Sequence, residues 1–140
     1  MSSTTGISGQ QELEHLAPPS PSNLPPADLG KYAHRVHSQW GEDGILEEVF
    51  RRLGIDQGYF IEFGAWDGIH FSNTHELIKN RGWGGVQIEA DQAKFKDLQK
   101  TYGKNPKVTC VQALVDTGTN SLDKLFKKHK LPQEFDLLSV

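Results

Sequence analysis

Apolar residues recur along this chain with two different spacings. Between Ile45 and Leu53 they return every three or four positions, which predicts an amphipathic helix that ends at Gly54. The same spacing predicts a helix at residues 92–102 and another that begins near Leu122 and ends before Pro132. The capping side chains of residues 72–74 predict a further helix at residues 75–79. Short apolar runs, which are typical of buried strands, occupy residues 59–63, 86–89, 108–115 and 135–140.

Strands that alternate with helices are typical of parallel βαβ units, so the pattern predicts an α/β fold with a right-handed, doubly wound parallel sheet. The strand of Glu62 is expected at the centre, with the strand of Glu89 beside it. Residues 108–115 are expected outside the Glu89 strand, and residues 135–140 on the opposite flank. The sequence ends within that fourth strand. We therefore expect a domain truncated after it, whose exposed apolar edge would favour self-association.

Composition and charge narrow the class of protein. Pro and Ser are concentrated in residues 1–30, which predicts a disordered tail before a domain at residues 31–140. The formal net charge is −3 and no long apolar segment occurs, so neither nucleic acid nor a membrane is an expected partner. A single cysteine, Cys110, and an N-terminus unlike a secretory signal are expected of a cytoplasmic protein.

The most informative stretch lies where the first strand gives way to a turn. Glu62 ends the strand, and the glycines that follow permit backbone angles that other residues resist. Ligands of doubly wound sheets bind at the carboxyl ends of strands. The predicted ligand site therefore comprises Glu62, Gly64, Ala65, Asp67 and Gly68. Glu89 ends the next strand, where a carboxylate can accept both hydroxyl groups of a ribose.

The glycine pattern favours one nucleotide ligand over another. A pyrophosphate-binding G-x-G-x-x-G loop needs its second glycine, but Trp66 stands at that place, and Asp67 adds negative charge beside it. A ligand with ammonium and sulfonium groups, such as S-adenosylmethionine, therefore fits better than NAD. The alternative that the glycines serve only the turn, and that the carboxylates are solvated, stays open.

Two longer motifs carry a resemblance to a known family. They read Ser-Gln-Trp-Gly-Glu-Asp-Gly at residues 38–44 and Phe-Ile-Glu-Phe-Gly-Ala-Trp-Asp-Gly at residues 60–68. Shorter matches follow at residues 72–74 (Ser-Asn-Thr), 82–85 (Gly-Trp-Gly-Gly) and 88–89 (Ile-Glu). Over residues 36–140 the chain resembles the FkbM-type family of S-adenosylmethionine-dependent methyltransferases. It departs from the pattern at Trp66, where members often carry Asn, and at Ala90, where they often carry Pro.

The resemblance implies a class I methyltransferase fold of the Rossmann-like kind. It also implies methyl transfer to an oxygen or nitrogen of a small-molecule or glycan acceptor. Glu62, Gly64 and Gly68 would hold the methionine and ribose parts of the cofactor, Glu89 would take the ribose hydroxyls, and Asp116 would meet the adenine edge.

No catalytic residue is identified from the sequence, and no acid or Cys pattern completes a metal site around His34 and His37. In the family, the fourth strand continues into an acidic segment beside the reacting centre, and that segment is absent here. Two alternatives follow. The chain could be a truncated, non-catalytic fragment that binds cofactor or a partner, or a nicotinamide-binding domain, which Trp66 and Asp67 disfavour.

Overall fold

A computed structural model of the chain describes residues 28–140. After a short 3-10 turn at Leu29–Tyr32, helices and strands alternate. The helices are α1 (Glu42–Leu53), α2 (His75–Arg81), α3 (Gln92–Tyr102) and α4 (Leu122–His129). The strands are β1 (Tyr59–Phe63), β2 (Gly84–Glu89), β3 (Val108–Gln112) and β4 (Leu137–Ser139). Most of the predicted tail, residues 1–27, lies outside the described residues.

The four strands form one parallel sheet in the order β3-β2-β1-β4, which confirms the predicted α/β fold and strand order. The chain adds β2 and β3 on one side of β1 and then crosses to add β4 on the other side. The direction of winding therefore changes between β1 and β4. In sheets of this kind, ligands bind at the carboxyl ends of the strands beside such a change.

Two apolar layers cover the sheet, one on each face. Phe60 of β1 packs in the layer that also contains apolar residues of α1, α2 and α3. Ile61, the next residue along, packs in the opposite layer with Leu125 of α4. Successive side chains of a strand point to opposite faces, so β1 supplies both layers, and its three middle residues, 60–62, are buried.

Two predicted strands are shorter than expected. Strand β3 ends at Gln112, not at residue 115. Just beyond it, the N–H of Ala113 donates to the carbonyl of Glu89, the last residue of β2 (3.2 Å). Strand β4 begins at Leu137 instead of residue 135. The carboxylate of Asp136 accepts the N–H of Tyr59 (2.8 Å), where a strand carbonyl would otherwise lie.

None of the helices within residues 28–140 combines the length and the apolar character that a bilayer-crossing helix needs.

Candidate functional site

Glu62 lies at the carboxyl end of β1, with only 4% of its surface exposed. Five donors of the described residues lie within 2.7–3.2 Å of its carboxylate: Ser72 Oγ, the Asn73 backbone N–H, Thr74 Oγ1, Gln87 Nε2 and Ser139 Oγ. A carboxylate has about four lone-pair positions. Glu62 therefore presents no free oxygen to a ligand, and its contacts hold residues 72–74 in place.

Polar side chains on three neighbouring strands form a row across the sheet. In the strand register, Glu62 lies opposite Gln87 of β2 on one side and Ser139 of β4 on the other. We call these three residues the polar row. Ser72 connects the polar row to α2. Its Oγ donates to Glu62 and accepts the N–H groups of Thr74 (3.2 Å) and His75 (3.1 Å) at the start of that helix. The N-terminus of α2 is thus fixed to the carboxyl end of β1.

Residues 64–71, here called the glycine loop, connect β1 to the segment before α2. Gly64 and Gly68 both adopt left-handed backbone, with φ of 75° and 78°. Their surroundings differ. A Cβ on Gly68 would lie 2.5 Å from the ring of Tyr102, whereas one on Gly64 would meet nothing within 4 Å. Ala65 is buried between them, and its N–H donates to the carbonyl of Ile88 (3.1 Å).

Asp67 folds back onto the glycine loop. Its Oδ1 accepts the N–H groups of Ile69 and His70, both at 2.9 Å, and its Oδ2 lies 2.6 Å from His70 Nδ1. Burial by itself would raise the pKa of Asp67, but the hydrogen bonds from His70 and from the two amides outweigh it and hold the pKa below its ordinary value. The carboxylate is therefore ionised and serves as the anchor of the turn.

Glu89, at the carboxyl end of β2, is as deeply buried as Glu62 but has fewer partners; 7% of its surface is exposed. Oε2 accepts the N–H of Trp66 (2.7 Å) and Oε1 accepts the N–H of Asp91 (2.8 Å). Each oxygen keeps one lone-pair position beyond these two bonds. The carboxylate thus joins the glycine loop to the start of α3, and it can still accept two further donors.

Asp116 follows the third strand and stabilises a turn of its own. It is exposed and lies four residues beyond the end of β3, where its Oδ1 accepts the N–H groups of Gly118 (2.7 Å) and Asn120 (2.9 Å). The other predicted site residues come together at the carboxyl ends of β1 and β2. Within residues 28–140 no hydrogen bond joins Asp116 to them, and its carboxylate supports its own turn.

A chain of ring side chains next to the glycine loop was not predicted. Tyr102 of α3 donates its hydroxyl hydrogen to the carbonyl of Gly68 (3.2 Å) and lies 2.5 Å from Nδ1 of His75. His75 meets His37 edge-on, with ring centroids 4.4 Å apart, and His37 Nε2 lies 2.9 Å from Glu76 Oε1. Burial, followed by the neighbouring His37, lowers the pKa of His75. Helical spacing in the sequence could place Tyr102 on the buried face of α3, but gave no signal for its partners.

The motif at residues 38–44 has a structural role around Asp43. Asp43 Oδ2 accepts three successive backbone N–H groups, those of Val36 (2.9 Å), His37 (2.8 Å) and Ser38 (2.8 Å). In return, the N–H of Asp43 donates to Ser38 Oγ (3.1 Å). These bonds tie the segment before α1 to the first turn of that helix. They also bring His37 to its place beside His75.

Two cavities border other parts of the surface. One of about 80 Å³ lies between α1 and α2, and one of about 620 Å³ runs along α4. Neither of these two cavities is lined by Glu62 or Glu89. Among residues 28–140 no group of three or more His, Cys, Asp or Glu side chains is arranged to hold a metal ion.

Comparison with known proteins identifies no relative of this chain. No protein-family model, curated protein or solved structure matches the chain. The resemblance carried by the motifs at residues 38–44 and 60–68 therefore stays a prediction.

Proposed function

We propose that this chain binds S-adenosylmethionine and directs its methyl group to an oxygen or nitrogen of a small-molecule or glycan acceptor, as an FkbM-like methyltransferase of class I fold. The observation that carries the proposal is the state of Glu89. Its carboxylate is held by two backbone N–H groups, and one lone-pair position stays open on each oxygen. Two adjacent hydroxyl groups of a ribose are the complementary donors.

The surroundings of Glu89 support an adenosyl ligand without a pyrophosphate. Glu89 lies at a strand end beside a glycine loop, in a sheet whose winding reverses between β1 and β4. Trp66 stands where the second glycine of a G-x-G-x-x-G loop would be, and its indole and bound N–H take up the space and the donor that a pyrophosphate would need. The ionised Asp67 would also repel a pyrophosphate, whereas a ligand with a positive sulfonium group meets no such repulsion.

In this proposal the residues of the first strand act by positioning. Glu62 binds residues 72–74 ahead of α2, and Tyr102 binds the Gly68 carbonyl, so these bonds anchor the loop that would hold the methionine end of the cofactor. Methyl transfer depends mainly on holding the acceptor in line with the sulfonium methyl group. No described side chain is assigned as a general base.

Calorimetric titration with S-adenosylhomocysteine and with NAD tests the proposal. The parent chain should bind S-adenosylhomocysteine in preference to NAD. Glu89→Ala should weaken that binding by about 1–3 kcal/mol, because two buried ribose hydroxyls would lose a charged acceptor. Asp97→Ala, which removes an exposed carboxylate of α3, is the matched control and should bind like the parent. Equal affinity in Glu89→Ala and parent, or NAD bound as tightly as S-adenosylhomocysteine, would contradict the proposal.

Self-association is a second candidate property, with or without catalysis. Strand β4 is an edge of the sheet, and Leu138 within it is 44% exposed. The cavity of about 620 Å³ along α4 adds apolar surface near Leu131 and Phe135. Light scattering across a concentration series should detect oligomers that Leu138→Lys abolishes. Leu114→Lys, beyond the opposite edge strand, should leave them intact, and a parent chain that stays monomeric would end this candidate.

A further inference from the structure

Three ring side chains form an exposed surface on the glycine loop. Trp66 is 38% exposed and Phe71 is 50% exposed, and their ring centroids are 6.3 Å apart. His70 lies between them in sequence, with its ring centroid 5.7 Å from that of Trp66. We call Trp66, His70 and Phe71 the aromatic platform. Its rings face solvent, although large apolar side chains on this scale are usually buried.

The backbone holds these rings outward at an energetic cost. Trp66 and Phe71 have φ of 51° and 58°, in the left-handed region that favours Gly and Asn. Each such residue costs roughly 1–2 kcal/mol. The conformation persists because Glu89 binds the N–H of Trp66 and Asp67 binds the N–H groups of Ile69 and His70. Strained residues that neighbouring groups hold in place are concentrated at ligand-binding sites.

A cation lies beside one ring of the aromatic platform. Lys94 Nζ lies 5.1 Å from the centroid of the Trp66 ring. Lys94 is exposed and belongs to none of the ion pairs formed by residues 28–140. Asp67, the carboxylate within the glycine loop, accepts two backbone N–H groups and lies 2.6 Å from His70 Nδ1. Glu89 meets Trp66 through the backbone N–H and not through the ring. A ligand group that reaches the Lys94 side of the Trp66 ring therefore finds an ammonium outside any of these ion pairs, which favours an anion over an amine at that point.

The angles between the rings favour a puckered ligand ring over a flat one. The Trp66 and Phe71 planes are inclined by 52°, and those of Trp66 and His70 by 33°. A flat base is held best between parallel faces, which this surface lacks. A pyranose ring presents C–H groups along one face, and these groups, which carry partial positive charge, are attracted to the negative face of an aromatic ring.

We propose that the aromatic platform and Lys94 bind a pyranose sugar that carries an anionic group, such as a carboxylate or a phosphate. The sugar ring stacks on Trp66 and Phe71, and its anionic group meets the ammonium of Lys94. Binding of this sugar does not depend on the function proposed above. The further step, that the sugar is the methyl acceptor, does rest on that function.

The test is a titration followed by two-dimensional ¹H–¹⁵N NMR, with glucuronate, glucose 1-phosphate and neutral glucose as separate ligands. The two anionic sugars should shift the indole signal of Trp66 and bind more tightly than glucose. Trp66→Asn should weaken binding of either anionic sugar roughly tenfold through the lost stacking. Asn suits the left-handed backbone, so this variant should melt no lower than the parent. Lys94→Gln should weaken the anionic sugars to the level of glucose.

Two substitutions serve as controls, since each removes a similar side chain elsewhere. Trp40→Ala removes another exposed tryptophan and Lys96→Gln another exposed lysine of α3, and both should bind like the parent. Saturation with S-adenosylhomocysteine should leave sugar binding intact, which separates this site from the proposed cofactor site. Equal binding by Trp66→Asn and the parent would overturn the proposal. So would an anionic sugar that binds no better than glucose, or displacement of the sugar by S-adenosylhomocysteine or by adenosine monophosphate.

Discussion

Glu62 and Glu89 are the same type of residue near the carboxyl ends of two adjacent parallel strands, yet their surroundings differ. Five donors saturate the carboxylate of Glu62, four of them side chains. Among residues 28–140, the partners of Glu89 are two backbone N–H groups. An acid at a strand end therefore supports the fold where donors of the protein occupy its lone pairs, and it can bind a ligand where some lone pairs stay free.

Removal of the two carboxylates should give the largest contrast. Glu62→Ala should lower the free energy of unfolding by about 3–5 kcal/mol, because several buried donors lose a charged acceptor at once. Glu89→Ala should lower it by about 1 kcal/mol, since two N–H groups near the surface can turn to water. Urea denaturation of both variants measures the difference. Equal losses in the two variants would show that the number of donors does not separate the roles.

Two glycines of the loop between these carboxylates, Gly64 and Gly68, should differ in how much a side chain at each destabilises the fold. Gly68→Ala should cost about 2–4 kcal/mol, because left-handed strain adds to a clash with the Tyr102 ring. Gly64→Ala incurs the strain without the clash, so it should cost about 1 kcal/mol. Thermal melts of the two variants provide the measurement. A Gly68→Ala protein as stable as Gly64→Ala would mean that Tyr102 moves aside freely, and that the loop is not fixed from this side.

The smallest expected effect is a change of stability with pH that arises from His75, at the start of α2. The pKa of His75 is lowered in the folded state by burial and by His37, whereas in the unfolded chain it is about 6.5. The unfolded state therefore binds more protons in the window between these two values. Stability should fall as pH drops below about 6.5 and level off below the folded pKa. Glu76 and Lys79 act in opposite directions on this titration, Glu76 raising the pKa and Lys79 lowering it.

Chemical denaturation at a series of pH values from neutral to acidic checks this slope. His75→Gln should flatten the part of the profile just below pH 6.5, where the histidine titrates. His34→Gln, which removes an exposed histidine, should leave that part unchanged. A profile with the same slope in His75→Gln as in the parent would assign the effect to other groups.

Much of the fold follows from local sequence pattern, since the spacing of apolar residues determines which segments become helices and which become strands. The ends of strands are harder to predict because they depend on partners. Strand β3 stops close to the end of β2, after the bond from Ala113 to the carbonyl of Glu89. Strand β4 starts just after Asp136, whose carboxylate accepts the N–H of Tyr59 in β1. The positions of Glu62 and Glu89 at strand ends were predictable.

Their surroundings were not predictable in the same way. Ser139 donates to Glu62 from 77 positions further along the chain, and no spacing rule links such residues. The sequence could therefore indicate where the acids lie, but it could not indicate how many of their lone pairs the protein itself would fill. Tyr102 gives a similar case, because its bond to the Gly68 carbonyl depends on how α3 docks beside the loop.

The polar row has a consequence for how the sheet assembles. Strand β4 pairs through three residues only, which is too short for backbone bonding alone to define its alignment. A slip of one residue would turn Ser139 to the other face of the sheet and set Leu138 against the carboxylate of Glu62. That misaligned sheet would leave a buried charge with fewer donors and an apolar neighbour. Asn73 Nδ2 also donates to Ser139 Oγ (3.0 Å). The bonds of Ser139 therefore favour the observed register of β4 against β1 over a shifted one.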